Sequence, residues 1–209
     1  MKNFRITTLL MATIALLSFS ACSDDDSDDN NSGGTKSPTS NTITFDGTTY
    51  NLNSGLASDY GATTIGNSNV SSHYNYDFET LDGTITANQD TTGDEFIRSA
   101  NSTISIYVEL FSPDTSSFKT GTFNYIPDSM VTEVSIQGKY WFSASDVQLD
   151  NDGVVDGQFD GPNYDVVGGS VIVSGTGPAS YTLTYNLQFE GGRNLTGTYN
   201  SSFLYNDEK

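Results

Sequence analysis

Four aspartates, Asp150, Asp152, Asp156 and Asp160, fall in one twelve-residue segment, Asp150 to Gly161, in which Asp-Gly recurs every four residues. Calcium takes about six to eight oxygen ligands, and carboxylates two residues apart in a glycine-bent loop can supply them. Asp150, Asp152 and Asp156 have that spacing and Asp160 adds a further carboxylate, which makes the segment a candidate Ca2+ site. The competing reading is an acidic, solvated connection between strands, because Asp-Gly is also ordinary turn chemistry.

That segment departs from an EF-hand loop. Val154 or Phe159 falls where an oxygen ligand is needed, according to whether Asp150 or Gln148 is taken as the first position. The only Trp of the chain, Trp141, lies in Lys139-Tyr140-Trp141-Phe142. In a strand Tyr140 and Phe142 share one face and Trp141 takes the other. Trp141 is therefore either a ring on which a sugar stacks, a candidate ligand-binding residue, or a second packing element. The single histidine, His73, has Ser71 and Ser72 beside it, but a nucleophile and its base meet in space rather than in sequence. There is no Gly-x-Ser-x-Gly elbow, and no His/Cys cluster of the kind zinc needs. Asp77, Glu79 and Glu109 fall in strand-like runs. Two carboxyls about 5 to 9.5 Å apart would suit glycoside hydrolysis, yet alternating acids also make the wet side of a strand. No catalytic constellation emerges, and the chain reads as a non-enzyme.

The elements that hold these residues begin with an anchor. Lys2 and Arg5 precede an apolar run from Ile6 to Phe19, then Ser20-Ala21-Cys22, the layout of a secretory signal. The run is shorter than the roughly 20 residues that span a bilayer. Cys22 is the only cysteine, so no intramolecular disulfide can form. Phe19-Ser20-Ala21-Cys22 resembles a bacterial lipobox, with Phe19 where Leu is usual. The resemblance implies cleavage before Cys22 and acyl chains, palmitate among them, on its sulfur and new amino terminus. At about 0.8 kcal/mol per buried methylene, several chains hold a protein far more firmly than one. Ser23, Asp24, Asp25 and Asp26 open an acidic run similar to the export signal of surface lipoproteins in Bacteroidota. That similarity implies display on the outer face of the outer membrane. Asp90-Thr91-Thr92 and Asp128-Ser129-Met130 resemble the short O-glycosylation motif of the same bacteria.

Without Lys2 and Arg5 the chain carries six basic against twenty-six acidic side chains, a formal charge of −20. Such a charge repels nucleic acid and anionic headgroups and suits cations or neutral glycans. The expected organisation is a signal peptide over 1–21, the acylated Cys22 with a disordered acidic tether over 22–41, and one β-domain over 42–209. The tether lacks large apolar residues and would reach roughly 25 Å as a flexible coil.

Within the domain, Thr42 to Phe45, Asp46-Gly47 and Thr49 to Leu52 predict a hairpin. His73–Leu81, Ser102–Phe111, Phe118–Ile126, Val134–Val147 with a kink at Gly138, Tyr164–Ser174 and Tyr181–Phe189 predict strands. The last turns at Gly191-Gly192 into a return strand through Leu195, Gly197 and Tyr199. Ser54–Asn69 and Asn88–Asp94 read as loops. No capped helical periodicity is present. The expected fold is all-β, an antiparallel sandwich of about 8–10 strands, with a lipocalin-like barrel as the alternative. The expected function is an outer-membrane, cell-surface lipoprotein, membrane-bound through its lipid, that binds a glycan or another outer-membrane protein. A structural or adhesive subunit, a small-ligand barrel and a glycoside-active enzyme are the alternatives.

Overall fold

The computed structural model describes residues 41–65, 70–89, 94–98, 101–150 and 159–209. Cys22, Ser23 to Asp26, Asp152, Asp156 and the Asp90-Thr91-Thr92 motif lie outside these residues.

The fold is all-β. Its strands are β1 (Thr42–Phe45), β2 (Thr48–Asn51), β3 (Ser54–Thr63), β4 (His73–Leu81), β5 (Ile85–Gln89), β6 (Asp94–Arg98), β7 (Ile104–Ser112) and β8 (Gly121–Tyr125). They continue as β9 (Trp141–Phe142), β10 (Ser145–Leu149), β11 (Asn163–Thr176), β12 (Ser180–Phe189), β13 (Arg193–Tyr199) and β14 (Leu204–Asp207). Among the described residues the only α-helix is α1 (Glu133–Ile136), opened by Thr132, whose side chain accepts from Ser135 N–H. That single turn stands at the start of the predicted strand Val134–Val147. Gly138 (φ +67°) follows it, and the strand proper begins at Trp141.

Twelve strands form one sheet in the order β14-β3-β4-β7-β9-β8-β11-β12-β13-β1-β2, with β10 pairing both β7 and β11. β5 and β6 pair only with each other. The pairings β7-β9-β8-β11-β10 close a ring of five strands, with the other strands outside it. This ring accords with the barrel alternative. The arms that leave it lie face to face, as Phe78 of β4 meets Tyr181 of β12 at 5.3 Å between ring centroids. Thr80 Oγ1 and Tyr185 OH share a hydrogen bond of 3.0 Å across the same gap. Ile104, Ile106, Val108 and Leu110 point into this core and are fully buried, as their alternation predicts.

The predicted hairpin at Asp46-Gly47 is present. Both turn residues have positive φ (+48° and +81°), the backbone that matches strand twist in a two-residue turn. β3, by contrast, was expected as loop. Its sequence, Ser-Gly-Leu-Ala-Ser-Asp-Tyr-Gly-Ala-Thr, has no β-branched residue before its last position. The small residues answer packing rather than propensity. A Cβ on Gly55 would lie 2.6 Å from the Phe203 ring and 2.9 Å from Tyr199. Gly55→Ala is therefore expected to cost about 1–3 kcal/mol in urea denaturation, the range for overfilling a packed core. An unchanged midpoint would show that Phe203 moves aside freely.

β14 pairs parallel with β3 at the sheet edge, Leu204 opposite Leu56. Asp59 of β3 fastens it: its Oδ2 lies 2.9 Å from Lys209 Nζ and accepts from Tyr74 OH and Tyr205 OH, each at 3.2 Å.

Candidate functional site

β4 is buried along its whole length, including the face turned away from the core. On that outer face Ser58, Asp77 and Glu109 lie opposite one another across β3, β4 and β7. One pleat along, Leu56, Glu79, Tyr107, Asp146 and Asp165 make a row across β3, β4, β7, β10 and β11. Four strand spacings of about 4.8 Å give this row a length of roughly 19 Å. The alternation of Asn75, Asp77 and Glu79 with core aromatics sets the pattern, because neighbours two apart share a face. These acids do not form the wet side of a strand. Asp77 is 9 % exposed and Glu79 8 %.

A cleft of about 180 Å³ opens on this face, lined by Leu56, Ser58, Tyr60, Asp77, Glu79 and Tyr107. Tyr60 stands there with 46 % of its surface exposed. It precedes Gly61 in a bulge between Asp59 and Gly61 that shifts the register of β3. Tyr107 OH donates to Asp77 Oδ2 at 2.5 Å and Ser105 Oγ to Glu79 Oε1 at 2.7 Å. Asn75 Nδ2 donates to Glu109 Oε1 at 3.4 Å. Asp77 Oδ1 is buried without a hydrogen-bond partner. No ion pair among the described residues involves Asp77, Glu109 or Asp146.

Burial pushes the Asp77 carboxyl up to about 7, an effect the Tyr107 hydrogen bond opposes and the nearby Glu109 charge adds to. Burial likewise raises Glu109 and Asp146. A second cleft, of about 410 Å³, also has Tyr107 in its wall. It lies where β8 leaves the ring, between the bend at Ser143-Ala144 that separates β9 from β10 and the start of β11. Asp128, Asp146 and Asp165 line it. No group of three or more His, Cys, Asp or Glu placed to hold a metal ion occurs among the described residues.

The other sequence candidates fall elsewhere. Trp141 is 2 % exposed and stacks on Phe111, with centroids 4.4 Å apart and planes 13° from parallel. Of its two readings the packed one is what the fold contains. The ring offers no face to a sugar, and its Nε1 is buried without a partner. Tyr140 and Phe142 do share the opposite face, toward the main core. His73 is buried, which lowers its pKa. Its Nδ1 faces Ser72 Oγ at 2.9 Å and its Nε2 faces the Ile136 carbonyl at 3.2 Å. Through the Ile136 carbonyl His73 fastens α1 to β4, and among the described residues neither ring nitrogen is hydrogen-bonded to a carboxylate. Asp150 continues β10, its N–H donating to Thr103 O at 3.1 Å, and Asp160 is exposed beyond the intervening residues. The calcium reading rests on Asp152 and Asp156 and so lies outside the described residues. Asp128-Ser129-Met130 forms an exposed 3-10 turn.

Sequence reasoning passed over Tyr60 and Tyr107, and with them Asp146 and Asp165. The strands of Asp146 and Asp165 lie far from β4 in the chain, and only the ring brings them to Tyr107. No protein-family model, no curated protein and no solved structure matches this chain.

Proposed function

We propose that the chain is a lipid-anchored binding module of the outer-membrane surface, held through Cys22, whose β-domain binds a glycan in the cleft on the outer face of β3, β4 and β7. One observation carries this reading: Asp77, one of whose carboxyl oxygens is buried without a partner, lines a cleft edged by the exposed ring of Tyr60. A buried acceptor left unpaired is costly, and a ligand hydroxyl placed against it removes that cost. An exposed tyrosine ring beside it can cover the apolar face of a sugar. Selection for a bound ligand accounts for an arrangement that folding alone would avoid.

A second reading is glycoside hydrolysis. Asp77 and Glu109 are direct cross-strand partners on one face, where opposing Cβ atoms stand about 4.5–5.5 Å apart. The anchored-binder reading is preferred because Tyr107 and Asn75 already hold these two carboxyls from within the sheet.

The test is made on cells. Cells displaying the chain are expected to retain fluorescent outer-surface oligosaccharides without shortening them. Cys22→Ser should release the chain into the medium and abolish retention by the cells. Envelope association that survives Cys22→Ser would remove the anchor from the account. Shortened oligosaccharides would turn the choice to hydrolysis.

A further inference from the structure

The large sheet has β14 at one end and β2 at the other, and only the first carries charges that discourage a further strand. β14 runs into Asp207, with Glu208 and Lys209 directly after it. β2, Thr48-Thr49-Tyr50-Asn51, has no charge, no proline and no bulge against β1. Of the devices by which proteins blunt an edge strand it has only its shortness. Thr48, Thr49 and Asn51 are exposed.

The hairpin decides which backbone groups β2 leaves unpaired. Phe45 and Thr48 close a two-residue turn, and Leu52 N–H donates to Asn41 O at 2.7 Å. Thr48, Tyr50 and Leu52 therefore direct their backbone groups at β1, and Thr49 and Asn51 turn theirs away from it. Those two residues form a self-complementary set. A two-fold axis through Tyr50 sets Thr49 of each copy opposite Asn51 of the other, and each such pair exchanges two backbone hydrogen bonds. Tyr50 then meets its own copy in the close, non-hydrogen-bonded position, where aromatic side chains stabilise a cross-strand pair. Its ring is already packed against the main core.

The charge pattern permits this approach. A formal charge of −18 opposes self-association in general. Yet the row Asn124, Ser170, Asn186, Thr196, Thr44, Thr49 crosses six strands on the outer face without a charge. The neighbouring row, which ends at Asn51, is uncharged as well. Two acids stand near β2, and both are engaged. Asp46 lies 3.7 Å from Arg193 Nε, and Asp82 Oδ1 accepts from the Thr103 and Ile104 N–H groups at 2.7 and 3.1 Å.

We propose that β2 is an assembly edge, at which two copies of this chain pair antiparallel about a two-fold axis through Tyr50 and join their sheets into one. This goes beyond the glycan-binding reading and does not depend on it. Four backbone hydrogen bonds and one aromatic pair make a contact smaller than a standard interface. The pairing is therefore weak in free solution and strengthens where chains are concentrated.

The full chain carrying Cys22→Ser is purified, so that any thiol is an introduced one, and studied by sedimentation equilibrium and oxidative cross-linking. Association is expected to rise with protein concentration. It should strengthen as ionic strength goes from about 0.01 M to about 1 M, over which the Debye length falls from about 30 Å to about 3 Å. Tyr50→Cys places the two Cα atoms about 4.5 Å apart at the axis, within the range a disulfide spans. It is expected to cross-link at least about tenfold faster than Val134→Cys, an exposed thiol on α1. Thr49→Pro removes an outward N–H and no bond to β1, and should weaken association about tenfold or more. Asn51→Glu puts a charge on the edge without altering the backbone and should do the same. Asn186→Glu, on the same face but three strands in from the edge, should change association little and so reports the effect of overall charge. A monomer at every concentration, with equal cross-linking rates for the two cysteines, would overturn the proposal. So would association that survives both Thr49→Pro and Asn51→Glu, because the contact would then lie on another surface.

Discussion

Asp77→Asn is expected to stabilise the protein, and to do so more as the pH rises from about 4 to about 7. The sign follows from burial. The Asp77 carboxyl has an unfolded value of 3.8 and is pushed up to about 7 in the fold. A group whose folded pKa is raised keeps its proton more readily when folded, so below pH 3.8 it costs nothing. Between 3.8 and 7 the unfolded chain ionises while the folded one resists, and stability is lost. Above 7 the full penalty is present, roughly 4 kcal/mol at 1.36 kcal/mol per unit. Asparagine keeps an oxygen for the Tyr107 hydroxyl and has no charge to desolvate. Glu109 and Asp146, also raised by burial, give slopes of the same sign. His73 works the other way. Its lowered pKa makes its contribution complete above 6.5 and lost as pH falls. Because His73 is present in both proteins, subtracting the two stability profiles isolates Asp77. Urea denaturation of wild type and Asp77→Asn at several pH values from 4 to 8 makes the measurement. A pH-independent difference would mean that Asp77 is well solvated, and the account of the cleft would go with it. Combined with weaker ligand binding in the same variant, the expected gain marks a residue kept for function at the expense of the fold.

Phe78→Ala should produce the largest loss. Phe78 is fully buried on β4 and meets Tyr76 at 5.1 Å, Phe203 at 5.2 Å, Tyr181 at 5.3 Å and Phe118 at 5.9 Å. These rings come from both arms of the sheet, from the segment between β7 and β8, and from the segment that follows β13. Truncation removes the side chain's own burial and leaves a cavity bounded by rigid rings that cannot collapse into it. The expected cost is about 3–5 kcal/mol. At about 2–4 °C per kcal/mol for a domain of this size, the melting temperature should fall by roughly 6–20 °C. A loss below about 1 kcal/mol would show that the arms are held together elsewhere. The contrast with Asp77 is instructive, since the two are consecutive residues on opposite faces of the same strand and the two changes have opposite signs.

Much of the fold was legible because its strands announce themselves locally. Tyr181, Leu183, Tyr185, Leu187 and Phe189 alternate with polar residues and are buried in strict alternation in β12. Asp46-Gly47 and Gly191-Gly192 turn where they were expected to turn. β3 was not legible. Its composition is set by Phe203, about 150 positions away, so no window around Ser54 carries the signal. The division of 134–147 into a helical turn and two short strands was missed for a related reason. The capping pair Thr132 and Ser135 lies in a run whose hydrophobic residues suit a strand equally well. Among the carboxylates, the shared face of Asp77 and Glu79 was readable from spacing alone. Their burial was not, because it depends on β3 and β7 flanking β4 and on the ring drawing Asp146 and Asp165 alongside. Trp141 was readable only as a choice between two faces, and its partner Phe111 arrives through a single residue pairing.

The last few residues have an outsized place in this architecture. Thr42 begins a strand that is completed by Thr198, and Leu56 waits for Leu204 before its edge is covered. Each of these pairs joins residues about 150 positions apart. Until β14 docks and Lys209 reaches Asp59, β3 is a bare rim, and contacts this distant in sequence form slowly. The sheet therefore closes only when residues far apart in the chain have met. Removing residues 204–209 would leave the rim available to whatever strand comes near.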